Sequence, residues 1–178
     1  TVVESDTIIK NAKSAILIDA ATGNVLYEKN AKEKLSPASM TKIMTMKLVL
    51  DSIDNNELSF DEILTTSKHA SSMGGSQVFL SAGEKMKCVD LFKSMVIASA
   101  NDAAVALAEY VSGSVDAFVI KMNEKAAQLG MTATRFENVT GLDDTAENHL
   151  TSAKDIALMS CALIKHPLVL QYSSIWMD

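Results

Sequence analysis

At 178 residues the chain suits one domain with a substantial core, and 48% hydrophobic and 21% charged residues are ordinary for a globular protein. A net charge of −6, with Arg135 the only arginine, argues against a basic nucleic-acid face and against bidentate phosphate clamps. No apolar run approaches the roughly 20 residues of a membrane span, and the start at Thr1, without the charged and apolar stretches of a secretory signal, reads as that of a mature or trimmed product.

Residues 14–19 (SAILID) are apolar and β-rich, a turn signal follows at 21–24 (ATGN), and residues 25–27 begin a second strand, which predicts a β-hairpin. Ser36-Pro37 reads as N-cap and first helical position of a helix over 37–51. Residues 71–76 (SSMGGS) form a Gly-containing loop. From Val89 onward the pattern is helical. Leu91, Phe92, Met95 and Val96 share one face, and 102–111 is Ala-rich and apolar enough for a central buried helix. A third helix spans 115–129 with Gly130 as C-cap, and 136–144 is a loop with Gly141 in a turn. Thr151 or Ser152 caps a helix to about Lys165, which His166-Pro167 breaks before a short helix over 167–173. Cys88 and Cys161 fall in amphipathic patterns and read as buried thiols in preference to a disulfide. A single hairpin is marginal in water, so the buried helix demands something larger to pack against.

Two short motifs carry chemistry. In Ser39-Met40-Thr41-Lys42 the outer pair stands at i and i+3, which places Cβ atoms about 5–6 Å apart on one helix face. A serine in the first helical turn sits among unpaired N–H groups at a positive dipole end, where an alkoxide and an oxyanion are stabilised. Lys42 serves as base only when neutral. Its amine must therefore fall by about 3 pH units from about 10.4, worth about 4 kcal/mol, which burial can supply. The bare S-x-x-K pattern equally describes a helix-start serine and a surface lysine. Ser99-Ala100-Asn101 joins two apolar helices. Helix capping accounts for it; so does a polar turn that aims Ser99, as a proton relay to a leaving amine, and Asn101, as a holder of Lys42 and a substrate carbonyl, at the first motif. His69, His149 and His166 lack metal-ligand spacing, Gly74-Gly75 is no phosphate loop, and Glu137-Asn138 reads as loop.

At these residues the sequence resembles the serine-type D-alanyl-D-alanine carboxypeptidases, the low-molecular-weight penicillin-binding proteins. The similarity extends to residues 15–31 (AILIDAATGNVLYEKNA), 35–45 (LSPASMTKIMT), 72–84 (SMGGSQVFLSAGE), 95–108 (MVIASANDAAVALA), 136–142 (FENVTGL) and 149–155 (HLTSAKD), in family order over most of 14–173. It implies an α/β (α+β) fold of the penicillin-binding and β-lactamase-like transpeptidase type. A helical layer packs on an antiparallel sheet that this chain leaves incomplete, in one incomplete domain over 1–178. It further implies Ser39 as nucleophile, Lys42 as general base, Ser99 as proton relay and Asn101 as a cleft residue that positions substrate. The implied partners are a peptidoglycan pentapeptide and β-lactams, with no metal, organic cofactor or nucleic acid, in the bacterial cell envelope outside the cytoplasmic membrane. The family's third motif, K-T-G, is absent from the 178 residues. The expectation is an N-terminal portion that is inactive alone or completed by a second chain carrying the missing C-terminal part. Two other readings are a class A β-lactamase, whose E-x-x-L-N loop Glu137-Asn138-Val139-Thr140-Gly141 does not match, and a non-catalytic module that recognises penicillin.

Overall fold

The computed structural model describes residues 9–142 and 146–175, so the end of the predicted 136–144 loop lies outside the described residues. Strands β1 (Ala15–Ile18) and β2 (Val25–Lys29) pair antiparallel, with a bulge between Leu17 and Ile18. The Asp19 carboxylate closes their turn by accepting N–H bonds from Ala21 and Thr22, both at 2.9 Å. Gly23 supplies the left-handed residue there, with φ of 74°.

The expected continuous helix from Pro37 resolves into two pieces: a 3₁₀ turn over Ala38–Thr41, then helix α1 (Lys42–Asp54). Ala38 is left-handed, with φ of 47°, and an α-helix cannot run through that conformation. Ser39 therefore sits on the tighter turn that feeds α1, not in its first α-helical turn.

A second antiparallel ribbon, β3 (Ile63–Thr65) with β4 (Lys85–Lys87), was not expected. Each strand has three residues, and of the six side chains only Leu64 is fully buried, so no alternating pattern announces them. Between them lies α2 (Lys68–Ser71), capped by Ser67 Oγ accepting from Ala70 N at 2.9 Å.

The helices α3 (Cys88–Ala98), α4 (Asn101–Ser112), α5 (Val115–Gln128), α6 (Ala153–Leu163) and α7 (Pro167–Ser173) follow the predicted order. Ser114 and Ser152 cap α5 and α6 through bonds from Ala117 N and Asp155 N, and Pro167 opens α7 at a position where a missing N–H is harmless. Thr151 instead pairs with Leu35 in an isolated bridge.

Helix α4 is the axis of the core. Every residue from Asn101 to Ala108 is buried, and the covering comes from α1, α2, α3, α5 and β3. The larger body that this helix required is therefore mostly helical, while the β1–β2 hairpin packs peripherally on α6. Small alanines on α4 let the neighbours approach closely, and Met44, Met95, Leu107 and Phe118 fill the space at 0% exposure. Phe92 meets Phe60 and Tyr172 edge-on, with ring centroids 5.8 and 6.1 Å apart. Both cysteines are free; Cys88 is buried and Cys161 half-buried. Burial, aided by the charge of Glu62, pushes the Cys88 thiol up to about 12, so it acts as a small apolar side chain. Among the described residues no single helix is long and apolar enough to cross a membrane.

Phe92→Ala removes a fully buried ring from the meeting point of α3 and α7, and the expected loss is about 3–5 kcal/mol, read as a lower midpoint in urea unfolding.

Candidate active site

Ser39 and Lys42 meet. Lys42 Nζ lies 3.3 Å from Ser39 Oγ and donates to the Thr140 carbonyl at 3.0 Å. Ser39 is exposed, whereas Lys42 is 1% exposed. A hydroxyl open to solvent is thus backed by a buried amine. Burial pushes that amine down from 10.5 to about 8, the direction that desolvation imposes on an ammonium. The expected transfer of Lys42 into a dry site is realised, and its helical spacing from Ser39 survives the 3₁₀ turn.

The partner that the sequence did not disclose is the loop over 136–142. Its Thr140 carbonyl faces Lys42 across 98 residues of chain. Thr45 Oγ1 donates to Val139 O at 2.7 Å, fixing the same loop to α1 one turn further on. Asn138 braces the loop from within: its Oδ1 accepts from Thr140 N and Gly141 N, and its Nδ2 donates to Leu142 O. Gly141, with φ of 77°, lets the loop touch the 3₁₀ turn; a Cβ there would stand 1.7 Å from the Ala38 carbonyl oxygen and 2.8 Å from Thr41 Oγ1. Glu137 pairs with Arg135 Nε at 3.5 Å and accepts from Asn148 N, a loop role that agrees with the sequence reading.

His149, set aside on the sequence for want of metal spacing, is buried beside the first motif. Its Nδ1 accepts the Glu137 backbone N–H at 2.9 Å, so the proton is on Nε2, which donates to Thr41 Oγ1 at 2.7 Å. No local signal marks it, because the contact spans 108 residues.

The second motif sits where α3 turns into α4. Ser99 is half-buried and left-handed, with φ of 54°, as the residue that ends α3. Strain of this kind costs of order 1–3 kcal/mol and collects at functional sites. Asn101 is 4% exposed; its N–H donates to Ser76 O and its Nδ2 to Gly74 O, each at 2.7 Å. The expectation that Asn101 holds Lys42 finds a different arrangement, with Ser39 and the Thr140 carbonyl around Lys42 and the Asn101 amide on Gly74. Neither Ser99 nor Asn101 makes a hydrogen bond to Ser39 or Lys42 among the described residues. The motifs are instead joined through loops: a Cβ on Gly75 would stand 2.8 Å from Asn101 Nδ2 and 3.4 Å from Leu142, which follows Gly141. Asp102, which the sequence reading passed over, is fully buried. Its carboxylate accepts from Val78 N and Leu80 N, so Phe79 between them is held left-handed, with its side chain turned to solvent. Among the described residues no group of three or more His, Cys, Asp or Glu is placed to hold a metal.

This arrangement can generate an alkoxide at Ser39 by proton transfer to Lys42, with the N-terminal end of α1 beneath it. The sequence matches the D-alanyl-D-alanine carboxypeptidase family over residues 2–177. It is 49% identical over 167 residues to the D-alanyl-D-alanine carboxypeptidase DacF of Bacillus subtilis, covering 94% of this chain and 42% of that protein. It is 42% identical over 160 residues to DacC of Escherichia coli, covering 86% and 40%. The fold is similar to that of DacD from Francisella tularensis, with a TM-score of 0.88, 35% identity and coverage of 96% and 43%. It is also similar to ampicillin-bound penicillin-binding protein D2 from Listeria monocytogenes, with a TM-score of 0.81, 36% identity and coverage of 92% and 66%. The chain spans about two-fifths of the length of the curated relatives DacF and DacC.

Two outcomes follow from the packing. Gly141→Ala destabilises by more than about 1 kcal/mol through its positive φ alone, and overlap with Ala38 adds to that. Gly130→Ala, also at positive φ but with nothing within 4 Å, gives the strain without the overlap, and urea unfolding of the two variants separates them. Lys42→Met raises stability near neutral pH. With the amine at about 8 folded and 10.5 unfolded, the unfolded chain binds the extra proton between those values, so native stability climbs over that window and is reduced below it by roughly 3 kcal/mol. Thermal melts of the variant and the native chain should converge as pH approaches 10.5.

Proposed function

This chain belongs to the D-alanyl-D-alanine carboxypeptidase family, and from that premise we propose that it carries the nucleophile side of a serine acyl-transfer site that removes the terminal D-alanine from a peptidoglycan stem peptide. The observation that carries the reading is the exposed Ser39 hydroxyl 3.3 Å from the buried Lys42 amine.

Neutral Lys42 takes the Ser39 proton as Oγ attacks the carbonyl carbon of the penultimate D-alanine. The tetrahedral oxyanion forms beside the positive end of α1. The C–N bond then breaks, the electron pair leaves with the amine of the terminal D-alanine, and that amine collects a proton through Ser99. Asn101, fixed by Ser76 and Gly74, lines the cleft at the start of α4 and positions the peptide. Water, deprotonated by the same lysine, attacks the acyl-enzyme and releases Ser39. The far wall of this reaction is the K-T-G element, which these 178 residues do not hold, so the assay belongs to the natural polypeptide that carries the chain.

A β-lactam enters as a stem-peptide mimic. Ser39 opens its ring, and the leaving group stays tethered, which slows hydrolysis. The ampicillin-bound relative supports this class of ligand. A D-Ala-D-Ala substrate also puts the site of action outside the cytoplasmic membrane, in the cell wall.

Mass spectrometry after incubation with penicillin should find one penicilloyl adduct on the Ser39 peptide and none in Ser39→Ala. The acylation rate should rise with pH through about 8, where Lys42 becomes neutral, and Lys42→Met should lower it about 10²–10⁴-fold. D-Alanine release from a pentapeptide, without fast nitrocefin turnover, identifies the carboxypeptidase; fast nitrocefin turnover refutes it.

A further inference from the structure

The Lys42 pocket has two sides that are remote in sequence, and besides Lys42 and Thr45 a third side chain joins them. The floor is the 3₁₀ turn and the start of α1. The lid is the 136–142 loop, with Thr140 O on the lysine and Gly141 on Ala38. His149 touches both: Nε2 binds Thr41, next to Lys42, and Nδ1 binds the Glu137 backbone, at the root of the lid. The ring is 1% exposed and packs edge-on against Phe136, with centroids 5.8 Å apart.

We propose that His149 is a positioning residue for the acyl-transfer site, holding the 136–142 loop against the start of α1 so that the Thr140–Gly141 backbone closes over Lys42. The proposal rests on the reading of Lys42 as the base.

The chemistry of the ring suits this task. The bridge needs an acceptor facing a backbone N–H and a donor facing a hydroxyl, on opposite edges of one rigid apolar body. A neutral imidazole supplies both, and its two engaged nitrogens fix tautomer and orientation together. The other fastenings of the loop, Thr45 to Val139 and Asn123 to Phe136, lie at one edge or at the root. His149 is the tie that runs from the loop's root to the turn bearing Ser39.

The consequence falls on the basicity of Lys42. The Thr140 carbonyl favours the ammonium, but burial dominates and pushes the amine down to about 8. A loop freed from Thr41 admits water, and the amine then moves back towards 10.5. Among the described residues the charged groups on the neighbouring elements are otherwise engaged. Glu137 pairs with Arg135, Asp155 on α6 accepts from Ala133 N and Thr134 Oγ1, Glu147 and Lys154 are exposed, and Asp51 at the far end of α1 pairs with Lys47 and Lys125.

The test is the pH profile of acylation by a fluorescent penicillin in the natural polypeptide that carries this chain. Its arms are the native sequence, His149→Ala, His149→Gln and Thr41→Val, each checked for native circular dichroism. In His149→Ala the acid limb should move up by about one pH unit, which makes acylation at pH 7 about tenfold slower, while rates above pH 10 approach the native value. Thr41→Val, which keeps the Glu137 bond, should move the limb the same way, and it carries the test if His149→Ala does not fold. His149→Gln, whose amide nitrogen can still donate to Thr41, should recover part of the difference. A limb near 8 in the native protein that stays in place in the folded variants, with rates reduced equally at every pH, overturns the positioning role and leaves Lys42 as base. A native profile without that limb overturns the Lys42 reading and this inference with it.

Discussion

The arrangement depends on keeping one primary amine out of water. An ammonium buried without a counter-charge is costly, and among the described residues Lys42 hydrogen-bonds one carbonyl and one hydroxyl. The molecule resolves the conflict by weakening the charge: the amine titrates near 8 and spends more of its time neutral. Instability and reactivity thus have one source. The dryness that penalises the folded state below pH 8 is what makes the lysine a base near neutral pH.

Keeping that amine dry takes backbone strain and close approach. Ala38 adopts a left-handed conformation so that the chain can turn sharply before α1, and its carbonyl is pressed against a position where only glycine fits. Ser99 is left-handed at the other motif. Each motif serine therefore lies in or beside a turn that a regular helix would not produce. Packed elements hold both turns: α1 follows the first at once, and α4, the most buried helix, follows the second.

The residues after Ser99 have a structural duty beside their chemical one. Asn101 and Asp102 between them fasten the 74–80 loop through Ser76, Gly74, Val78 and Leu80. A buried carboxylate that accepts backbone N–H bonds is satisfied without a cation, because the amides supply the positive ends of dipoles. The helix start that presents the motif also shapes the loop in front of it, so the two are set together. Between this loop and the lid on Lys42 the fit is close enough that a Cβ on Gly75 would stand 3.4 Å from Leu142, so among the described residues the two sides of the cleft meet by shape.

Local chemistry made much of this protein legible from its sequence. The helix cap at Ser152, the proline that opens α7, the glycine turn of the hairpin and the alanine-rich axis of α4 each act within a few residues, so composition and spacing reveal them. The same holds for Ser39 and Lys42, which one helical turn brings together. The three-residue strands β3 and β4 escaped because so short a ribbon has no period to read. Tertiary structure alone decided what surrounds the lysine. The Thr140 carbonyl, the fit of Gly141 on Ala38 and the His149 bridge join segments about 100 residues apart. Backbone carbonyls carry no sequence identity, and burial is a property of the whole packed chain, so neither can be seen until the chain has folded.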